Sequence, residues 1–127
     1  MFGFGAKVNL PNLSSNNKIH HCFPLNGNAE DPNLIQMEGL MEGYRQALPN
    51  LTFSGPTYFA PFLREAMNVC LRMKEERKEY MILLVLTDGN IHDKEEVFDL
   101  LVKCGKLPLS IIIIGIGEGE DGWQIMH

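Results

Sequence analysis

This sequence predicts an α/β domain built on a mainly parallel sheet with an antiparallel edge strand, and three observations lead there. Residues 80–86 and 109–117 are short apolar runs, the second containing four consecutive isoleucines. Their length and β-branched content suit strands buried on both faces. Such strands belong to parallel sheets with helices on each side. Apolar residues at helical spacing precede the first run and separate it from the second, the alternation that builds α/β layers. Asp88-Gly89 closes the first run, and ligands of these sheets gather beyond the carboxyl ends of the strands.

From the amino end, Phe2, Phe4, Ala6 and Val8 alternate with Gly3, Gly5 and Lys7, a strand over 2–8 with one nearly bare face. Paired glycines on a strand face mark a close approach by another group. Residues 9–18, rich in Asn and Ser, read as a loop. Residues 20–26 read as a second short strand, which Pro24 confines to an edge because it lacks a ladder donor. Asp31-Pro32 has the form of a helix cap followed by proline at the first helical position. Leu34, Met37, Met41, Tyr44 and Leu48 then recur at spacings of three and four, a stripe expected in the core, and Pro49 ends the helix. Gly39 and Gly43 share a face of that helix and permit close packing, at some loss of helix propensity.

Residues 51–57 form a loop ending in Gly55-Pro56-Thr57. Proline is tolerated only in a helix's first turn, so Pro61 sets the start of the next helix near Tyr58 or Phe59. Phe59, Phe62, Leu63, Ala66, Cys70 and Met73 make its buried side, and Thr57 stands at its entrance, where a helix N-cap is the plain reading. Asp93-Lys-Glu-Glu96 is a capping-box pattern opening a third helix, with Val97, Leu100, Leu101 and Cys104 as its apolar stripe. Gly105 and Pro108 end it. In the acidic tail over 118–127, Trp123 is the strong anchor.

The length of 127 residues fits one domain. A net charge of −5 gives no electrostatic reason to expect nucleic acid or an anionic membrane as partner. Basic residues over 72–78 are interleaved with Glu75 and Glu76, the pattern of a solvated helix face. Three cysteines, Cys22, Cys70 and Cys104, without a CxxC pair, argue against a zinc site or disulfide framework and fit reduced thiols in the cytoplasm. No stretch has the apolar length of a membrane span, and the opening residues lack the basic and apolar regions of a signal peptide.

Four chemistries are compatible with single motifs. Gly115-Ile116-Gly117-Glu118-Gly119 follows a strand, but a dinucleotide fingerprint needs a helix and a further strand after it. A strand-end Asp88 could accept a phosphoryl group, yet Leu86 stands where a second carboxylate would assist Mg²⁺. His20 and His21 are adjacent in the strand expected over 20–26 and so point to opposite faces, while His92 lacks a nucleophile partner. Asp88 and Thr57 are hard oxygen donors at loop–helix transitions, suited to Mg²⁺, Mn²⁺ or Ca²⁺.

Taken together, Phe2-Gly-Phe-Gly-Ala-Lys7, Gly55-Pro-Thr57, Leu84-Val-Leu-Thr-Asp-Gly89 and the stretch Leu107 to Gly117 resemble the A domain of the copines, a branch of the von Willebrand factor A-like fold. The likeness runs from residue 2 to about 126, which makes 1–127 a partial copine-type domain. The resemblance implies a Rossmann-type three-layer fold and a metal-ion-dependent adhesion site fed by three loops. Thr57 would take the second loop's role and Asp88 the third's. The first strand, its metal loop and the first helix have no counterpart here, nor do the C2 domains through which copines bind phospholipid with calcium. The absent strand lies mid-sheet, so the strand over 2–8 and the strand over 80–87 are expected to close on each other directly. An empty slot would strand backbone groups at ~1–3 kcal/mol each, against a domain's stability of ~5–15 kcal/mol.

The function this implies is non-enzymatic protein binding through the sheet's carboxyl edge, assisted by Mg²⁺, Mn²⁺ or Ca²⁺ held weakly or not at all. Localisation is expected to be cytoplasmic, with membrane association only through C2 domains, at the plasma membrane, in full-length copines. Two alternatives stand beside it: a phosphoryl-transfer enzyme centred on Asp88, and a fragment of the plant RING ubiquitin ligases that carry a copine-like domain. The latter need a cysteine-rich zinc module.

Overall fold

The computed structural model describes residues 1–10, 12–76, 79–88 and 90–117, and the chain gathers into two compact units, residues 1–58 and Phe59 onward. The fold is mixed α/β. In the first unit, β1 (Phe2–Gly3) pairs antiparallel with β4 (Phe23–Pro24), and β2 (Ala6–Leu10) is flanked by β3 (Leu13–His20) and β5 (Leu51–Phe53), both antiparallel to it. Helix α1 (Gln36–Ala47) and a 3-10 turn (Leu48–Asn50) precede β5. Ala6, Val8, Leu10, Phe23, Leu25 and Ala47 form the buried core of this unit. The glycine-bearing face is covered at Gly3 and open at Gly5: a Cβ on Gly3 would lie 2.5 Å from Cζ of Phe23, the residue paired with it, whereas one on Gly5 would meet nothing within 4 Å.

Several expectations fail in this unit: the strand expected over 2–8 is divided into β1 and β2, that over 20–26 shortens to β4, and the loop expected over 51–57 opens with β5. Most of the loop expected over 9–18 is β3. Its four residues 15–18 stand opposite the single Val8, an irregularity carried by Asn16 and Asn17 at φ 45° and 66°. Asparagine enters the left-handed region more readily than other non-glycine residues, so an Asn-rich stretch can be a bulged strand as well as a loop. Helix α1 starts at Gln36 rather than at Asp31-Pro32. There the Asn28 and Asp31 side chains accept backbone hydrogen bonds from Glu30, Asp31 and Asn33, local turns that compete with helix. With that start, the inward face is Gly39, Leu40, Gly43 and Ala47, all buried or half-buried. Leu34 lies against it, so close that a Cβ on Gly43 would meet its Cδ1 at 2.8 Å. Met37, Met41 and Tyr44, expected in the core, are exposed.

The second unit is a parallel pair, β6 (Met81–Thr87) and β7 (Leu109–Gly115), in register from Met81↔Leu109 to Thr87↔Gly115. Helix α3 (Lys94–Cys104) makes the crossover, and α2 (Ala60–Glu76) packs beside it. Phe59, Phe62, Leu63, Ala66 and Cys70 are buried, as the spacing predicts, and Cys70, Cys104 and Leu109 anchor one core cluster. The strands are not buried on both faces. Val85 and Thr87 are buried, whereas the alternate residues Ile82, Leu84 and Leu86 are 63, 54 and 45% exposed. With α2 and α3 packed together, the opposite face of the pair has no helix of this unit to cover it among the described residues. Nor does the anticipated closure of the flanking strands form: β2 has a neighbour on each side, and β7 is the one strand beside β6 among the described residues. Glu118, Gly119 and Trp123 lie outside the described residues.

Candidate functional site

Thr87 ends β6 with its side chain buried, and its carbonyl accepts a hydrogen bond from the Ile116 N–H at 2.8 Å, one step past the paired strand. The backbone then leaves the sheet. Asp88, the next residue, is exposed, and among the described residues its recorded contact is a long one, from the Asn90 N–H to Oδ1 at 3.4 Å. Asp88 therefore stands at the carboxyl end of a parallel strand with its charge toward solvent, the position in which open α/β sheets meet ligands.

Five residues on, Asp93 behaves differently. Its Oδ1 accepts the Phe59 N–H at 2.9 Å and its Oδ2 accepts the Ala60 N–H at 2.8 Å. Amides at a helix start have no intrahelical acceptor, and the helix dipole favours an anion there. Pro61 has no N–H, so Phe59 and Ala60 present consecutive donors, and one carboxylate satisfies both with short, charge-assisted bonds. The capping-box pattern had pointed Asp93 at its own helix. It does occupy the cap position of α3, but its side chain makes no cap bond there. Glu96, the other half of that pattern, forms an ion pair with Arg64 of α2. Both carboxylates thus turn to the neighbouring helix.

Between these acids, Ile91 lines an apolar cavity of about 130 Å³ together with Phe59, Phe62, Leu63, Val85 and Val97. The turn after β6 thus passes half-buried Ile91, on the wall of that cavity, and is held at Asp93 by two hydrogen bonds.

Thr57 belongs to the first unit and is half-buried. Since α2 begins at Ala60, its cap position falls on Phe59, and Thr57 is not the N-cap. Tyr58, beside it, packs its ring on His21 at a centroid separation of 4.7 Å. His20 ends β3 opposite Ala6, and His92 is exposed. Asp88 and Thr57 thus lie in different units.

Cys70 and Cys104 are buried, and the Cys70 thiol donates to the Pro108 carbonyl at 3.6 Å. Burial, and secondarily the neighbouring Cys70, pushes the Cys104 thiol above its usual range, which keeps it protonated and unsuited to metal. Among the described residues, no group of three or more His, Cys, Asp or Glu side chains could hold a metal ion.

The role of Asp93 escaped the sequence pattern, although a signal exists. Phe59 offers no side-chain acceptor and Pro61 no amide, so a helix starting there needs a cap from elsewhere in the chain.

Comparison with known proteins gives the family of the chain. The family model described as Copine matches residues 1–127. "Nicotinic receptor-associated protein 1" of Caenorhabditis elegans is 40% identical over 126 residues, covering 99% of this chain and 19% of the relative. "Protein BONZAI 2" and "Protein BONZAI 1" of Arabidopsis thaliana are each 37% identical over 121 residues, covering 94% of this chain and 20% of each relative. The chain spans about a fifth of the length of these curated relatives.

Proposed function

The chain belongs to the copine family, and from that premise we propose that it is a non-enzymatic protein-interaction module that presents Asp88 to a partner protein at the carboxyl edge of its parallel strand pair. The observation that carries this reading is the contrast between the two acids of one turn. Asp88 faces solvent at a strand end, while Asp93 is committed to two backbone amides. A divalent cation is the natural intermediary between Asp88 and an acidic group on a partner. Asp88 alone fits such an ion only in part. One carboxylate leaves most positions of an octahedral Mg²⁺ or Mn²⁺, and still more of Ca²⁺, to water. Cation binding at Asp88 is accordingly weak, and recognition relies on the protein surface around it.

The same contrast weighs against phosphoryl transfer at Asp88. That chemistry wants a second carboxylate beside the acceptor, and both oxygens of Asp93 already accept hydrogen bonds. A RING-type zinc module finds no support either, since Cys70 and Cys104 are core thiols. No helix among the described residues is long and apolar enough to cross a membrane. On the resemblance to longer copines, membrane association would belong to their C2 domains, at the plasma membrane, with this module on the cytoplasmic side. The nematode relative's name records association with a nicotinic receptor. A receptor's cytoplasmic segment is accordingly a reasonable class of partner for this module too.

Isothermal titration of Mg²⁺ and Mn²⁺ into the wild-type chain and Asp88→Ala tests the reading. Weak binding to the wild type that is lost in the variant is expected. Binding of equal strength in wild type and Asp88→Ala overturns it.

A further inference from the structure

We propose that Asp93 is a positioning residue: by bridging the Phe59 and Ala60 amides, it fixes where the turn after β6 holds Asp88. The turn enters from Thr87, whose carbonyl is tied to Ile116, and leaves through Asp93, whose carboxylate is tied to the start of α2. Ile91, between them, lines an apolar cavity. Asp88 is thus carried by a short segment with both ends anchored, and among the described residues its own side chain adds a long contact with the Asn90 N–H at 3.4 Å. The two anchoring bonds span 34 and 33 residues of chain, so they join the turn to a distant helix rather than stabilise it locally. Asp93 also has an alternative it does not take, capping its own helix as its sequence position suggests. The carboxylate is held where it satisfies two donors instead of one. Released from them, the segment loses its polar anchor and Asp88 loses its fixed place at the strand end.

The geometric part of this inference is independent of cation binding; its use in recognition rests on the reading of Asp88 given above. Backbone amide exchange and chemical shifts, measured by NMR on the whole chain, test it in the wild type, Asp93→Asn, Asp93→Ala and Glu95→Gln. Leu109→Ala, in the Cys70–Cys104 cluster and outside the cavity that Ile91 lines, serves as a variant that weakens the same unit without touching the carboxylate. Asparagine keeps one acceptor oxygen and carries the test if the alanine variant does not fold. Exchange at Phe59 and Ala60 should rise by about tenfold or more in Asp93→Ala, and by less in Asp93→Asn. The Asp88 amide should shift in both, yet stay in place in Glu95→Gln and Leu109→Ala. Protection of Phe59 and Ala60 that is the same in Asp93→Asn as in wild type overturns the proposal, and so does an Asp88 shift that Leu109→Ala reproduces. Mn²⁺ added to the same samples separates the two readings. Broadening at Asp88 that weakens in Asp93→Asn supports both, whereas altered exchange without any Mn²⁺ effect in wild type supports the anchor and removes the cation.

Discussion

Asp88 and Asp93 occupy one turn, yet removing them should have very unequal consequences for stability. Asp93→Ala removes the acceptor of two short bonds and leaves two amides at a helix start without partners. Loss of a cap costs ~0.5–2 kcal/mol, and a fully buried orphaned amide ~1–3 kcal/mol. Because this site is only part-buried and water can replace some of the loss, about 2–4 kcal/mol is the expected total. Asp93→Asn keeps one acceptor and should lose roughly half as much. Asp88→Ala removes an exposed side chain with one 3.4 Å contact and should stay within about 0.5 kcal/mol of wild type. Urea unfolding followed by far-ultraviolet circular dichroism reads all three. With a slope of about 1–3 kcal/mol per molar urea, the Asp93→Ala midpoint should fall by about 1–2 M while that of Asp88→Ala hardly moves. Equal losses from the two alanine variants, or an Asp93→Ala midpoint indistinguishable from wild type, would refute the division of roles.

Two further predictions concern the packing around these elements. Gly3→Ala places a methyl 2.5 Å from the Phe23 ring, which is among the most fully buried side chains, and should cost about 1–3 kcal/mol by urea unfolding, with part recovered in Gly3→Ala/Phe23→Leu. The Cys104 thiol is held above its ordinary value of 9.0, so the unfolded chain ionises first as pH rises. The thiol's contribution is therefore complete below that value and is lost above it. The fall in urea midpoint between about pH 7 and about pH 10 should be smaller in Cys104→Val, and iodoacetamide should label half-buried Cys22 well before Cys104.

How much of this was legible depended on whether a residue's neighbours in sequence were also its neighbours in space. Helix α2, strand β6, helix α3 and strand β7 follow from spacing because each is set by its own apolar stripe and its own terminators, Pro61, Gly105 and Pro108. The bare face at Gly3 was legible too, since a missing side chain implies something lying close, and Phe23 is what lies there. Strand β3 was not, because Asn-rich sequence is neutral between loop and bulged strand until a partner strand decides. The start of α1 was misplaced for a related reason: Asp31 uses its side chain on Asn33, and Leu34 lies against Gly43, a contact that spacing alone does not reveal. At the candidate site, the strand-end acid Asp88 could be read from Thr87-Asp88-Gly89, whereas the use of Asp93 could not, since its partners lie more than thirty residues away.

The difference between the two acids follows from where β6 stops. The ladder to β7 reaches Thr87, and the Thr87 carbonyl makes its next bond to Ile116, so Asp88 is the first residue free of the sheet. A carboxylate that close to the strand end stays at the rim. By Asp93 the chain has turned back toward the helices, Ile91 already lines the apolar cavity, and the start of α2 is within reach of a short side chain. An acid before the turn therefore faces solvent and an acid after it faces amides, whatever the chemistry of either. Length is what separates them, so one residue inserted between Asn90 and Ile91 should uncouple the pair. Asp93 would keep its grip on Phe59 and Ala60, since those bonds do not depend on the turn's contour, while Asp88 would gain slack. NMR would then show protected Phe59 and Ala60 amides beside a broadened Asp88. Loss of protection at both amides would mean that the turn's length, not the carboxylate, sets the anchor.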